Sequence, residues 1–145
     1  MKKIAFTTAL LAAVLGQSTI AVASASCAIA GHYEGSYSGD LDHGVVVAEV
    51  DATDGTLTGK ARSAVTGQTF AVGGVLNDAG YLAPIAAGSV SSGAAFSGRF
   101  IETDTVAGGS AGAGQWTNST SINGIAMRAS GAWGVERTSH AAGCR

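Results

Sequence analysis

The feature that most constrains this chain is a period of two that restarts again and again. Val46, Ala48 and Val50 alternate with Val45, Val47, Glu49 and Asp51, and Leu57, Gly59 and Ala61 with Thr56, Thr58, Lys60 and Arg62. Phe70 and Val72 alternate with Thr69 and Ala71, and Phe96, Gly98 and Phe100 with Ser97, Arg99 and Ile101. The longest run sets Ile125, Met127, Ala129, Gly131, Trp133 and Val135 against Ala126, Arg128, Ser130, Ala132, Gly134 and Glu136. Successive side chains of a strand point to opposite faces, so each run reads as a strand with one buried face. Helical spacing is absent after residue 25. The 22 Gly of this chain also oppose helices, since each costs a helix interior about 1 kcal/mol relative to Ala.

Turn residues separate the runs. Asp54-Gly55 and Asn123-Gly124 are two-residue hairpin signals, because such turns need residues tolerant of positive φ. Asp42-His43-Gly44, Thr66-Gly67, Asn77-Asp78-Ala79-Gly80 and Ser91-Ser92-Gly93 are weaker versions, and Thr103 to Ser110 forms one longer connection. The pattern predicts eight strands near 32–39, 44–52, 56–65, 68–76, 81–88, 94–102, 111–120 and 125–137. Eight consecutive antiparallel strands with short links predict an all-β fold, a single eight-stranded up-and-down β-barrel, in which closure removes both sheet edges. After seven reversals the start of the first strand and the end of the eighth share one end. Closure there brings Cys27 and Cys144 together.

Met1-Lys2-Lys3, the apolar stretch Ile4 to Leu15 and Ala23-Ser24-Ala25 match the charged, apolar and small-x-small parts of a signal peptide. Cleavage after Ala25 is expected, leaving residues 26–145 as one barrel domain, secreted or periplasmic in a bacterium. Lipidation of Cys27 is the alternative, but Ser24 and Ser26 stand where a lipobox wants a Leu-like and a small apolar residue. In an oxidising compartment a disulfide is the expected use of Cys27 and Cys144, neither of which sits in a Cys-x-x-Cys motif.

Once Lys2 and Lys3 leave with the leader, six cations face ten carboxylates, with no basic stripe for nucleic acid. No membrane-spanning helix is expected in the mature chain. A membrane barrel would need lipid-facing apolar bands and aromatic girdles, which its few aromatics do not supply.

The segment Asp54-Gly55-Thr56-Leu57-Thr58-Gly59-Lys60-Ala61-Arg62-Ser63-Ala64-Val65 resembles the second hairpin of avidin and streptavidin. Phe96-Ser97-Gly98-Arg99-Phe100, Gln115-Trp116 and Ala132-Trp133 extend the likeness along the mature chain. That family folds as an eight-stranded up-and-down barrel with biotin in its mouth. The resemblance implies that Ser63 meets a ureido oxygen, that Trp116 and Trp133 line the ligand, with Phe96 in place of a further tryptophan, and that Ser92 meets the ligand's chain. Ala61 stands where the family has a tyrosine and Ala94 where it has a threonine. No asparagine occurs in 33–39, and no aspartate follows Trp133 at the family's position. Half a set of ureido partners leaves buried polar atoms unpaired, so the resemblance carries the fold further than the ligand.

No Gly-x-Ser-x-Gly, His-Glu-x-x-His or phosphate loop occurs, and no cofactor or catalytic activity is expected. Asp40, Asp42 and His43 crowd the first hairpin loop and read as a solvated turn. Asp54, Asp78, Glu102 and Asp104 reach the end that carries the termini, a candidate cation site. Arg99, Arg128 and Arg137 are expected to face solvent. The expected function is a non-catalytic exported barrel binding a small molecule or a protein. The alternatives are a surface structural or adhesive component, or a secreted inhibitor of an exported enzyme acting through 103–110.

Overall fold

The computed structural model describes residues 27–87, 94–122 and 125–144. The expected leader 1–25, the Ser91-Ser92-Gly93 link and the Asn123-Gly124 turn lie outside them. Eight strands follow in sequence: β1 Gly31–Gly39, β2 His43–Val50, β3 Thr56–Ser63, β4 Thr69–Val75, β5 Tyr81–Ala87, β6 Ala94–Glu102, β7 Ser110–Ile122 and β8 Ile125–His140. They form one antiparallel sheet in the order β4-β3-β2-β1-β8-β7-β6-β5, curled into a nearly closed barrel. β1 and β8 pair along the whole of β1, from Gly31↔His140 to Gly39↔Gly131. The chain ends therefore meet at one end, called the base below, where Cys27 and Cys144 form a disulfide with a Cα–Cα distance of 5.3 Å. The disulfide fits an oxidising compartment. No helix among the described residues is long and apolar enough to cross a membrane.

The weak seam of the barrel is a hairpin in mid-chain. Among the described residues β4 and β5 are joined by a single bridge, Leu76↔Leu82, outside any ladder. Pro84 lies in the β5 strand of this seam. It has no N–H to give a ladder, and the β5–β6 register shifts between Leu82 and Ile85, the bulged edge position where proline is tolerated. A second departure concerns Asp54-Gly55, which does not make a two-residue turn. It ends a longer loop, 51–55, closed by Asp51 N–H to Thr56 O (2.8 Å) and Gly55 N–H to Asp51 O (3.1 Å), with Gly55 at φ 70°.

The expected inner faces of β2, β3 and β4 hold Val46, Ala48, Val50, Leu57, Ala61 and Val72, all buried. The large rings need glycines opposite them. Phe100 lies across Gly112, where a Cβ would stand 2.6 Å from the ring, and Trp133 across Gly98, where it would stand 2.5 Å away. Phe100 in turn packs on Trp133 at 5.6 Å and edge-on to Tyr33 at 5.0 Å. Interior glycine is thus the receptor for interior aromatic rings, a use that sheet packing at native density requires in so narrow a barrel.

Polar groups seal the base. Arg137 is only 4% exposed, contrary to the expectation that it faces solvent. It continues the parity of Trp133 and Val135, so β8 carries it inward. Its Nε donates to Gly108 O (2.6 Å), and Nη1 to Ala28 O (2.9 Å) and Ala30 O (3.2 Å). One guanidinium fork thereby ties the first turn of the described chain to the 103–109 loop. Beside it, the Tyr33 hydroxyl donates to Ile29 O (2.6 Å) and lies 2.8 Å from the Ser110 hydroxyl, itself 2.9 Å from Ile101 O. Burial raises the Tyr33 pKa, opposed by the Ser110 hydrogen bond and the Arg137 charge. Arg99 and Arg128 are exposed as expected, Arg99 resting 4.8 Å over the Tyr81 ring.

Candidate functional site

The opposite end, the mouth, gathers groups of another kind. Tyr37, near the end of β1, shares the inner face with Tyr33 and Gly35 and is 2% exposed. Phe70, Phe96 and Trp116 meet its ring edge-on at 6.1, 6.4 and 5.4 Å. Trp116 lies over Gly39, where a Cβ would stand 2.5 Å from the indole, and its Nε1–H donates to Ser38 O (3.1 Å). β1, β4, β6 and β7 thus each supply one ring to an aromatic cluster.

A carboxylate sits against this cluster. Asp42, in the β1–β2 link, turns inward and is half-buried. Its Oδ2 accepts from the Tyr37 hydroxyl (2.9 Å), and its Oδ1 accepts from the Ser63 hydroxyl (2.7 Å) and from His43 N–H (2.8 Å). The buried Ser63 hydroxyl also accepts from Thr66 N–H (2.9 Å), which fixes the β3–β4 loop against the link. Burial, followed by the hydrogen bond and negative charge of Asp42, pushes the Tyr37 pKa up to about 12. The expected solvated turn at Asp40, Asp42 and His43 is therefore corrected at Asp42. Asp40 accepts from Ser130 N–H (3.0 Å), and His43 is exposed.

A further buried polar atom towards this end belongs to Asn118. Asn118 lies two residues beyond Trp116 on β7, towards the mouth, and its buried Oδ1 has no hydrogen-bond partner among the described residues. A buried acceptor left unpaired costs about 1–3 kcal/mol, so such an atom calls for an explanation.

Of the residues singled out from sequence, Ser63, Phe96 and Trp116 gather at the mouth. Trp133 is buried deeper, where its Nε1–H is shared between Ser97 O (3.0 Å) and Gln115 O (3.2 Å). Ser92 lies outside the described residues. Asp54, Asp78, Glu102 and Asp104 all lie at the base, in or beside three separate connections. No three His, Cys, Asp or Glu side chains of the described residues gather into a metal-holding group. Tyr37, Asp42 and Asn118 were not among the expected site residues. The alternation Tyr33, Gly35, Tyr37 is the signal that places Tyr37 inside, and nothing in the residue string marks Asp42 as inward. Comparisons with protein-family models, with curated proteins and with solved structures each find no match to this chain.

Proposed function

We propose that this chain is an exported, non-catalytic barrel that binds a small molecule at the mouth. The observation that carries the reading is the buried Oδ1 of Asn118, without a hydrogen-bond partner among the described residues, at the same end of the barrel as the aromatic cluster and the Tyr37 and Ser63 hydroxyls. A ligand with an N–H donor would satisfy Asn118, and a carbonyl on the same ligand would accept from Tyr37 and Ser63 in place of Asp42. Cyclic ureides and amides have both groups. Export accords with the leader-like N-terminus and with a disulfide that closes the base.

Thermal unfolding in the presence of biotin, 2-imidazolidone and a panel of small cyclic amides tests the reading. A binder present at about 100 times its Kd stabilises the fold by about 2.7 kcal/mol, seen as a raised Tm. The same ligand should lose its effect on Asn118→Leu and Tyr37→Phe. Unchanged melting with every compound at millimolar concentration contradicts the proposal.

A further inference from the structure

The outer face of β1, β2 and β3 has a charge order of its own. Glu34, Val47 and Lys60 stand side by side in one row across the three strands, and Ser36, Val45 and Arg62 in the next. Val45 and Val47 are 56% and 40% exposed, an apolar stripe along β2. Acidic groups lie on one side of it, Glu34 and its β8 neighbour Glu136, both exposed. Lys60 and Arg62 lie exposed on the other side and have no ion pair among the described residues. Glu49 also stands on β2, but His32 holds its carboxylate towards β1 through a 2.9 Å contact, and the other nitrogen of the same ring lies 3.4 Å from Glu34, whose side chain is otherwise exposed. A shallow hollow of about 370 Å³ opens beside Val47, bounded by Glu49, Thr58 and Lys60.

We infer that this face is where a second copy of the chain docks. The charge order selects the geometry. A two-fold axis parallel to β2 keeps each row at its own height and exchanges its two sides. Glu34 of one copy then faces Lys60 of the other, twice, while the valine stripes meet between them and Val47 approaches the partner's hollow. A two-fold axis across the strands would instead set Glu34 against Glu34 and Lys60 against Lys60, which repel. The interface is isologous, as closed dimers require. A face three strands wide is small beside the roughly 800 Å² per partner of a standard interface, so a weak dimer is expected.

Sedimentation of the disulfide-bonded protein over a concentration series tests this directly. The expected result is a monomer–dimer equilibrium that weakens as salt is raised. Glu34→Lys and Lys60→Glu should each weaken it about tenfold or more, and the double variant should recover it, since the reversed charges match again. Val47→Lys should also break it. Both charged side chains are exposed, and unchanged melting curves establish that the variants fold. A chain still monomeric at about 1 mM overturns the inference. So does a dimer that both charge reversals leave intact, or a double variant that fails to recover association.

Discussion

The two ends of this barrel use buried polar groups in opposite ways. At the base, Arg137, Tyr33 and Ser110 bond to the backbone carbonyls of Ala28, Ala30, Gly108, Ile29 and Ile101. A carbonyl of a fixed chain cannot leave, and the disulfide holds the end, just after Cys27, that supplies three of them. At the mouth, Tyr37 and Ser63 bond to one side-chain carboxylate carried on a short link, and Asn118 offers an acceptor that nothing in the described residues takes. A carboxylate can be replaced by another acceptor with little change to the chain around it. The base is a seal, and the mouth is an exchangeable set of partners.

This contrast orders the expected effects of substitution, with the largest at the base. Replacing both cysteines, Cys27→Ser with Cys144→Ser, releases a loop closed over 117 residues. On the chain-entropy account, that lowers stability by about 4–5 kcal/mol in denaturant unfolding. Arg137→Met keeps much of the volume but strips the donors from three carbonyls, with an expected loss of about 3 kcal/mol by the same measurement. A loss below about 1 kcal/mol would mean that the base is not sealed by this side chain.

The mouth should respond less in stability and more in chemistry. Tyr37→Phe removes one hydroxyl donor from Asp42, with an expected cost of about 1 kcal/mol in chemical unfolding. Its sharper signature is alkaline. The folded pKa of Tyr37, about 12, stands above its ordinary value of 10.0. The stabilisation from keeping it neutral is therefore intact below pH 10 and is lost as pH rises through 12. Tyr33 shifts in the same direction. Tyrosinate absorbance during a pH titration should show late ionisation, and Tyr37→Phe should remove part of it. Outside both sites the effect should be smallest. Hydrogen bonds from the Thr56 side chain and backbone hold the exposed Asp54 carboxyl below its ordinary value. Its contribution is present above that value and lost as pH falls through the lowered one. Asp54→Ala should flatten a slight acid dependence of melting, lowering stability a little at neutral pH and leaving it unchanged in acid.

Much of this architecture is legible in the residue string because a period of two is a strong local signal. Strand β3 begins where Thr56 was expected to begin it, and the meeting of Cys27 and Cys144 follows from counting reversals. The charge of Arg137 argues for solvent, yet Trp133, Val135 and Arg137 share one face, and parity decides its place. Asp54-Gly55 carries a hairpin signal even where backbone bonds of Asp51 make the longer loop 51–55. Asp42 was not legible at all. Its inward turn depends on hydroxyls at positions 37 and 63, and only the closed barrel sets those side by side.

The claim that the mouth exchanges polar partners while the base stays sealed is tested most directly by nitrogen–proton correlation NMR with 2-imidazolidone, the minimal cyclic ureide. Added up to about 10 mM, enough to reveal a millimolar Kd, it should shift the Trp116 indole, the Asn118 side-chain amide and the backbone amides of Tyr37 and Ser63. The Arg137 Nε signal and the amides of Ala28 and Gly108 should stay in place. Shifts centred on Arg137, or none anywhere in the spectrum, would contradict it.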